Sequence, residues 1–245
     1  MKTISIYETG CVRRNNEDSY LILPEYDLYA VADGMGGHNA GEVASRLAVE
    51  GLKEKAKALI GIDNQHVQEW MIEAIDQTNK EIFEASFNSL ETQGMGTTLT
   101  ALLIKDNKAV IGHVGDSRIY LWRNSTLRLL SEDHSMVNEL IRLGQLTAEK
   151  AKNHPHRNVL SRALGVEKTI TVDCFQLEIQ KRDVFLLCTD GFSNMLEMEE
   201  MAAEFANSGT WEDRMARLQK LVLERGAPDN FTAVCCILDG EEDGL

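Results

Sequence analysis

Apolar residues occur along the chain in two patterns. Short runs of about four to eight residues, bounded by glycine or other turn residues, are typical of buried strands. Longer stretches carry apolar positions three or four residues apart, which indicates amphipathic helices. This spacing predicts helices over residues 40–59, 67–82, 137–143, 196–206 and 211–225, and strands over residues 1–10, 20–23, 28–32, 98–104, 109–114, 118–122, 127–130, 169–179, 184–188 and 231–238.

The order of these elements favours two packed sheets. Strands are followed by two helices, more strands, a charged segment, strands, two helices and a final strand, so the chain does not alternate strictly between strand and helix. A parallel doubly wound sheet is therefore disfavoured. Two mainly antiparallel sheets with helices outside them bury the apolar face of every element. We predict an α+β fold in one domain, residues 1–240, with the strands of residues 98–130 joined as an antiparallel meander.

Residues 144–165, which we call the flap, differ from the rest of the chain in composition. Glycines flank the segment, Pro155 lies within it, and it concentrates positive charge in an acidic protein. The composition alone leaves open whether the flap is a mobile element or a solvated surface helix and loop. Residues 241–245 are predicted to form a frayed tail. The basic flap residues are Lys150, Lys152, His154, His156, Arg157 and Arg162.

Composition and charge exclude several classes of protein. The 245 residues suffice for a sizeable core, and the net charge of −14 argues against nucleic acid and against an anionic membrane surface as partners. No signal pattern is visible, and no apolar run approaches the roughly 20 residues that span a bilayer. The five cysteines are odd in number and include no CxxC pair, so neither a disulfide framework nor a zinc site is supported. We expect a cytoplasmic monomer without membrane insertion.

Acidic residues recur where apolar strands meet turns. Asp33, Asp116, Asp190 and Asp229 all occupy such positions, and Glu17 and Asp18 form a further acidic pair near the beginning of the chain. Each one alone is more often a turn residue or a cap. Their recurrence suggests one shared site, in which the carboxylates would raise each other's pKa unless a cation compensates them. The residues alone leave both interpretations open.

Six short motifs resemble a known family when they are taken together in chain order. They resemble the bacterial branch of the metal-dependent Ser/Thr phosphatases, the protein phosphatase 2C family, and the resemblance extends from about residue 10 to residue 238. The resemblance implies the family's four-layer αββα sandwich, which agrees with the element order above. The motifs are GCVRRNNED, VADGMGGH, MGTT, VGDSR, CTDG and PDN.

The resemblance implies a centre of two Mn²⁺ or Mg²⁺ ions. By the resemblance, Asp33 bridges the two ions and the carbonyl of Gly34 binds one of them. Asp190 and Asp229 hold the first metal, and Asp116 with Asp190 matches a third site of bacterial relatives. These oxygen ligands suit Mg²⁺ or Mn²⁺ better than zinc or copper.

The resemblance also assigns residues around the metals. Glu17, through water and together with Asp18, supports the second ion. Arg13 matches the arginine that grips the substrate phosphate, and its planar fork suits that task. The flap occupies the place of the family's flap, so its basic residues are candidates for substrate contact.

The implied reaction is in-line attack on phosphorus by a metal-bridging water or hydroxide. Eukaryotic relatives carry a histidine directly after the Asp-Gly pair, where this chain has Met35. His38 is a candidate general acid, although a turn or surface role competes with that assignment, and a metal-bound water is the alternative donor.

The expected function is removal of phosphate from phosphoserine and phosphothreonine in proteins. The phosphorylated partners are expected to include a cognate Hanks-type kinase, which the enzyme opposes. One alternative is an inactive phosphatase-like binding module, which the presence of all the metal-site carboxylates disfavours. Another is a phosphatase of small phosphomonoesters. His113, inside a strand, is expected to be a satisfied core histidine, and Cys188 and Cys235-Cys236 are expected to be core residues.

Overall fold

A computed structural model describes residues 1–36, 40–151 and 154–238, apart from the side chain of Ala148. His38, Lys152 and the predicted tail at 241–245 lie outside these residues. The strands are β1 (Lys2–Glu8), β2 (Asp18–Leu23), β3 (Leu28–Met35), β4 (Gly96–Thr97), β5 (Leu99–Lys105), β6 (Lys108–Val114), β7 (Arg118–Arg123), β8 (Thr126–Leu129), β9 (Asp173–Glu178), β10 (Val184–Cys188) and β11 (Phe231–Ile237). The helices are α1 (Ala40–Lys55), α2 (Val67–Ala85), α3 (Met136–Arg142), α4 (Ala148–Ala151), α5 (Asp190–Ser193), α6 (Met198–Ala206) and α7 (Trp211–Glu224).

The strands form two sheets, and each pair of neighbouring strands is antiparallel. The first sheet has the order β1-β11-β10-β7-β8. The second has the order β2-β3-β5-β6-β9, with β4 paired to β3. The predicted α+β class with two mainly antiparallel sheets is confirmed.

Three apolar layers separate four layers of secondary structure. One packs α1 and α2 onto the second sheet, and another packs α6 and α7 onto the first sheet. The third lies between the two sheets. Because successive side chains of a strand point to opposite faces, Tyr29 and Val31 enter the layer between the sheets while Ala30 and Ala32 face the helices. The architecture is the predicted αββα sandwich.

The predicted meander is wrong at the turn between β6 and β7. The β5–β6 pair belongs to the second sheet and the β7–β8 pair to the first, so the chain crosses between sheets from Gly115 to Ser117. Gly115 has a φ of 110°, and a Cβ there would lie 2.5 Å from Cγ2 of Thr98. A glycine is required at this crossing because only glycine adopts that conformation readily and leaves this space.

The strand predicted over residues 169–179 is shorter in the structure. It begins at Asp173, and Ile170 and Val172 instead pack as partly buried side chains against the layer below α1 and α2. Apolar residues can thus join a core without joining a sheet. The predicted helix over residues 137–143 is confirmed as α3, which Ser135 caps, and Gly144 follows it with a φ of 70°.

The buried histidine and cysteines occupy the places expected of core residues. His113 is fully buried, and its ring contacts the hydroxyl of Thr100 at 2.9 Å and the carbonyl of Glu132 at 3.0 Å. Burial, with the neighbouring ring of His134, lowers the pKa of His113 to about 4. Cys188 and the Cys235-Cys236 pair are buried free thiols. In the part of the chain that the structure describes, no helix is long and apolar enough to cross a membrane.

The layer between the sheets makes a testable contribution to stability. Phe185 is completely buried there, so Phe185→Ala should lower the free energy of unfolding by about 3–5 kcal/mol through lost burial and a residual cavity. Phe87 is 71% exposed, and Phe87→Ala should change it by only about 0.5 kcal/mol. Urea denaturation measures both values. Equal effects of the two substitutions would contradict the packing described here.

Candidate metal centre

Strand pairing brings the predicted acidic residues to one end of the two sheets. In the second sheet, Asp18 of β2 lies directly opposite Asp33 of β3. In the first sheet, β10 leads into Asp190 beside the beginning of β11, which Asp229 precedes. A Cβ on Gly191 would lie 3.3 Å from that of Asp229, so these two turns are in contact. Asp116 occupies the crossing between the sheets.

The carboxylates are close enough to shift one another's protonation. Burial raises the pKa of Asp33 well above its ordinary value, and the charges of Asp18, Asp190 and Asp116 raise it further. Burial, followed by the charge of Asp190, raises the pKa of Asp116 to about 7. The pKa of Asp190 is raised by burial and then by the charge of Asp229. The structure therefore brings these five aspartates into one electrostatic cluster.

Asp33 and Asp190 also influence each other directly: the contact between their side chains raises the pKa of Asp33 and lowers that of Asp190. Among the residues that the structure describes, no three His, Cys, Asp or Glu side chains are already grouped so as to hold an ion. The carboxylates are therefore neighbours, but in the described residues no three of them are arranged around one ion position.

Asp18 is the most buried member of the cluster. One carboxylate oxygen, Oδ2, accepts hydrogen bonds from the hydroxyls of Thr189 (2.8 Å) and Thr232 (2.7 Å). The other, Oδ1, is buried and has no hydrogen-bond partner within the described residues. Burial raises the pKa of Asp18 to about 7, and the two threonine bonds oppose that shift. A buried carboxylate oxygen without a donor fits a centre completed by a cation or its water.

The MGTT motif fixes the backbone of Asp33. The amide of Asp33 donates to Oγ1 of Thr98 (2.8 Å), while its carbonyl accepts from Oγ1 of Thr97 (2.8 Å) and from the amide of Thr98 (2.9 Å). Oγ1 of Thr98 also lies 2.7 Å from Oγ of Ser117, beside Asp116. The two threonines therefore hold two of the acidic turns relative to each other.

Gly34 allows three backbone segments to meet. A Cβ at this position would lie 2.0 Å from the carbonyl oxygen of Gly41 and 2.6 Å from that of Glu17. The amide of Gly34 donates to the same Glu17 carbonyl at 3.1 Å. Only glycine fits here, and the contact places Glu17 beside the end of β3. A Cβ on Gly41 would in turn lie 2.9 Å from the Glu17 carboxylate.

Arg13 lies at the exposed side of the cluster. Its Nη2 contacts Oδ2 of Asp229 at 2.8 Å, and both side chains are about half-exposed. Glu17 is half-buried nearby, where burial raises the pKa of its carboxyl and the charge of Arg13 lowers it. Arg13 is thus beside the acidic cluster and open to solvent, as a residue that meets an incoming anion must be.

The flap joins the region next to Asp33. Leu164 forms a backbone bridge with Thr97, and Leu160 forms one with Ser135. Arg162 is paired with Asp173 at 2.7 Å, which neutralises one of the flap's predicted positive charges. Exposed flap positions in the described residues include Lys150, His156 and Arg157, whereas His154 is half-buried.

The structure places a partly buried cation, Arg118, near the cluster, and the sequence interpretation did not assign it to the site. Arg118 forms a two-pronged pair with Asp133, with Nε–Oδ1 at 2.9 Å and Nη2–Oδ2 at 2.6 Å. Its positive charge lowers the pKa of both Asp116 and Asp190, whereas the charge of its partner Asp133 raises both. The sequence did not show which charges Arg118 meets, and the folded structure does.

The raised pKa of Asp116 predicts that the protein, kept free of metal by EDTA, loses free energy of unfolding as pH rises. The stability that Asp116 contributes is fully present below the ordinary aspartate pKa and is lost as pH rises toward about 7, because the unfolded chain releases this proton first. Asparagine stays neutral. In EDTA, the difference in free energy of unfolding between Asp116→Asn and the unmodified protein should therefore rise by about 2 kcal/mol from roughly pH 5 to pH 7.5.

Urea denaturation across this pH range measures the difference for Asp116. Glu91→Gln, at an exposed carboxylate, is the control and should show a difference that does not change with pH. A pH-independent difference for Asp116→Asn as well would mean that the carboxylates do not interact as described.

Comparisons with known proteins agree with this fold. The family model for protein phosphatase 2C matches residues 12–228. The serine/threonine phosphatase stp of Listeria monocytogenes serotype 4b (strain F2365) is 39% identical over 241 residues, with 97% of this chain and 96% of that protein covered.

Solved structures extend the similarity to three dimensions. Serine/threonine phosphatase Stp1 from Staphylococcus aureus superposes with a TM-score of 0.91 at 32% identity, covering 98% of this chain and 95% of that one. The catalytic domain of the serine/threonine protein phosphatase PstP, in complex with 2 manganese ions, gives a TM-score of 0.85 at 33% identity, covering 97% and 98%. The chain belongs to the protein phosphatase 2C family.

Proposed function

We propose that this chain is a metal-dependent protein phosphatase that hydrolyses phosphoserine and phosphothreonine. The observation that carries the proposal is the cluster of aspartates at one end of the two sheets, with a solvent-accessible arginine 2.8 Å from one of them. Clustered carboxylates suit cations, and an accessible guanidinium suits a phosphate. The relatives named as serine/threonine phosphatases support the same activity.

The proposed centre binds two Mn²⁺ or Mg²⁺ ions, and this chain also has residues that match the third metal site of bacterial relatives. Asp33 would bridge two ions, and the Gly34 carbonyl would bind one of them. Asp190 and Asp229 would complete the first site, and Asp116 with Asp190 would form the third. The all-oxygen donor set and the manganese found in the PstP structure support this choice of metals.

Glu17 and Asp18 would support the second site. The carbonyl of Glu17 contacts the amide of Gly34, which holds Glu17 beside the proposed bridging aspartate. The unpartnered Oδ1 of Asp18 is positioned for a water that an ion orders. Bound divalent cations supply a hydroxide nucleophile at neutral pH and offset charge on the phosphoryl oxygens.

The aspartates themselves move protons when cations bind. The raised pKa values of Asp33 and Asp116 favour protons on these carboxylates, and such protons offset part of the cluster's negative charge. Cations compete with these protons for the same oxygens. The affinity for metal should therefore rise with pH up to about 7, the pKa of Asp116.

Arg13 is the proposed phosphate-binding residue. Its planar guanidinium can donate two parallel hydrogen bonds to phosphate oxygens while Asp229 holds one edge of it. The general acid is less well defined. Met35 follows Gly34 at the position of the eukaryotic histidine, and His38, the candidate from the sequence, lies outside the described residues and stays a prediction.

The proposed substrates are phosphorylated proteins, including a cognate Hanks-type kinase that the enzyme would oppose. The exposed basic residues of the flap would contact acidic or phosphorylated segments of these proteins. We also propose that the enzyme acts in the cytoplasm as a monomer. Neither the inactive module nor the small-molecule phosphatase has a specific observation in its favour, since the cluster keeps all of its acidic residues.

Metal dependence is tested most simply through Asp33. Phosphatase activity on p-nitrophenyl phosphate and on a phosphothreonine peptide should require Mn²⁺ or Mg²⁺ and disappear in EDTA. Asp33→Asn should lower kcat/KM by at least roughly 100-fold, because losing metal-derived stabilisation of the transition state costs several kcal/mol. Far-UV circular dichroism should be unchanged. Full activity in EDTA would overturn the proposal.

The role of Arg13 can be tested against its neighbour. Arg13→Ala should raise KM for the phosphopeptide by roughly 10-fold, because charge-assisted hydrogen bonds to phosphate are lost. Arg14 is also exposed and has no assigned role, so Arg14→Ala is the matched control and should leave kcat and KM near their original values. Similar increases in KM for both variants would show a general effect of positive charge rather than a specific contact.

A further inference from the structure

Asn230 is a buried amide to which the proposed metal and phosphate sites give no role. It is 5% exposed and lies between Asp229 and the beginning of β11. Its Oδ1 accepts the backbone N–H of Glu17 at 2.9 Å. Its Nδ2 donates to the carbonyls of Thr9 and Asn15, both at 2.9 Å. Both amide hydrogens and the amide oxygen are therefore engaged.

All three partners of the Asn230 side chain belong to one segment. Residues 9–17, which we call the N-terminal loop, connect β1 to β2 without regular secondary structure. The loop carries both Arg13 and Glu17. Asn230 also donates its own backbone N–H to Oδ1 of Asp229 at 2.9 Å. A single residue thus connects the proposed phosphate-binding segment with a proposed metal ligand.

Neither apolar burial nor the ion pair of Arg13 holds the middle of the loop firmly. Residues 11–15 are exposed, and Val12 is 68% exposed, so apolar burial contributes little there. The ion pair between Arg13 and Asp229 is half-exposed, and such pairs hold a loop only weakly because water competes with them. Hydrogen bonds that are shielded from water are harder to exchange with it. The buried Asn230 amide supplies three part-buried hydrogen bonds at the two ends of the loop.

The close packing of the loop supports the same conclusion. A Cβ on Gly10 would lie 2.2 Å from the carbonyl oxygen of Asp229, and the amide of Cys11 donates to the carbonyl of Ala227 at 2.8 Å. The loop therefore lies directly on the turn that precedes β11. A small displacement of this turn would move Arg13 relative to Asp229.

We infer that Asn230 is a positioning residue that clamps the N-terminal loop onto the turn before β11 and so holds Arg13 ready for the substrate phosphate. This inference rests on the proposed phosphate-binding role of Arg13. Without the clamp, binding a phosphate would first require the loop to be ordered, which raises the cost of binding. The reacting groups themselves are unchanged, so the loss should appear mainly in KM.

Asn79 offers a matched control elsewhere in the fold. It is fully buried in α2, and its Oδ1 accepts the N–H of Gly165 at 2.8 Å. Its Nδ2 donates to the carbonyls of Glu167 (3.0 Å) and Lys168 (3.3 Å). The side chain makes the same set of hydrogen bonds as Asn230 but attaches the last residue of the flap and the residues after it, not the N-terminal loop. Asn79→Ala therefore removes equivalent bonds without touching the loop that carries Arg13.

The test combines limited trypsin digestion with kinetics on the full chain. Trypsin cuts after arginine only where the chain can open locally, so cleavage at Arg13 and Arg14, followed by mass spectrometry, reports opening of the loop. Asn230→Ala should speed this cleavage by roughly 10-fold, and Asn79→Ala should leave it unchanged. With a phosphopeptide and saturating Mn²⁺, Asn230→Ala should raise KM by roughly 10-fold and lower kcat by less than about threefold.

A double variant separates positioning from general damage. If Asn230 acts through Arg13, adding Asn230→Ala to Arg13→Ala should raise KM by less than about twofold, because the group being positioned is already gone. Asn230→Asp keeps the oxygen that accepts from Glu17 but removes both donated bonds, so it should also speed cleavage of the loop. Asn230→Asp therefore replaces Asn230→Ala in the trypsin test if the alanine variant does not fold.

The inference is overturned if Asn230→Ala and Asn230→Asp leave trypsin cleavage at its original rate. It is also overturned if Asn79→Ala speeds that cleavage equally, or if the effects of Asn230→Ala and Arg13→Ala on KM multiply. The protease result does not depend on catalysis. A protein without phosphatase activity would therefore refute the proposed function and still show whether Asn230 clamps the loop.

Discussion

Repulsion among aspartates gathered at one end of two sheets is the constraint on which the rest of the structure depends. Five of these side chains raise one another's pKa or contribute charge that does so, in a protein whose net charge is already −14. Such a cluster opposes folding unless protons or cations neutralise it. The raised pKa values of Asp33 and Asp116 favour their protonated forms, which offsets part of this charge. The proposed metal ions would complete the compensation.

The same constraint explains why short polar residues surround the cluster. Asp18 belongs to the second sheet, whereas the threonines that donate to it, Thr189 and Thr232, belong to the first sheet or its continuation. The buried carboxylate therefore ties the two sheets together at the site. Thr98 and Ser117 make a second such connection. These hydrogen bonds hold the acidic turns in place against their mutual repulsion.

Much of the fold and of the site could be predicted from local patterns. Some features depend only on residues close together in the chain, and the structure places these as expected. They are the apolar faces of α1 and α2 and the strands that end near Asp33 and Asp190. The predicted meander was wrong because the sheet that a strand joins is determined by strands distant in the chain. At Gly115, turn chemistry identified a turn and not a crossing between sheets.

Long-range partners also limited the prediction of the site. The bond from Glu17 to Asn230 joins positions 213 residues apart, and no local pattern contains it. The sequence motifs predicted a site role for Asp229 and gave no role to the next residue, Asn230. The pairing of Arg118 with Asp133, which follows β8, was likewise not predicted from the sequence. The contacts of Asn230 and Arg118 depend on how the chain packs, whereas the acidic turns can be recognised from the local sequence.

Calorimetric titration with Mn²⁺ in buffers of different ionisation enthalpy tests the central claim most directly, because it counts both the ions bound and the protons released. If cations replace the protons of the aspartate cluster, the protein should bind at least two ions. It should also release close to one proton or more at about pH 6, and distinctly fewer at about pH 8.5, where the carboxylates are already ionised. Binding with no proton release at the lower pH, or no binding at either pH, would contradict the account.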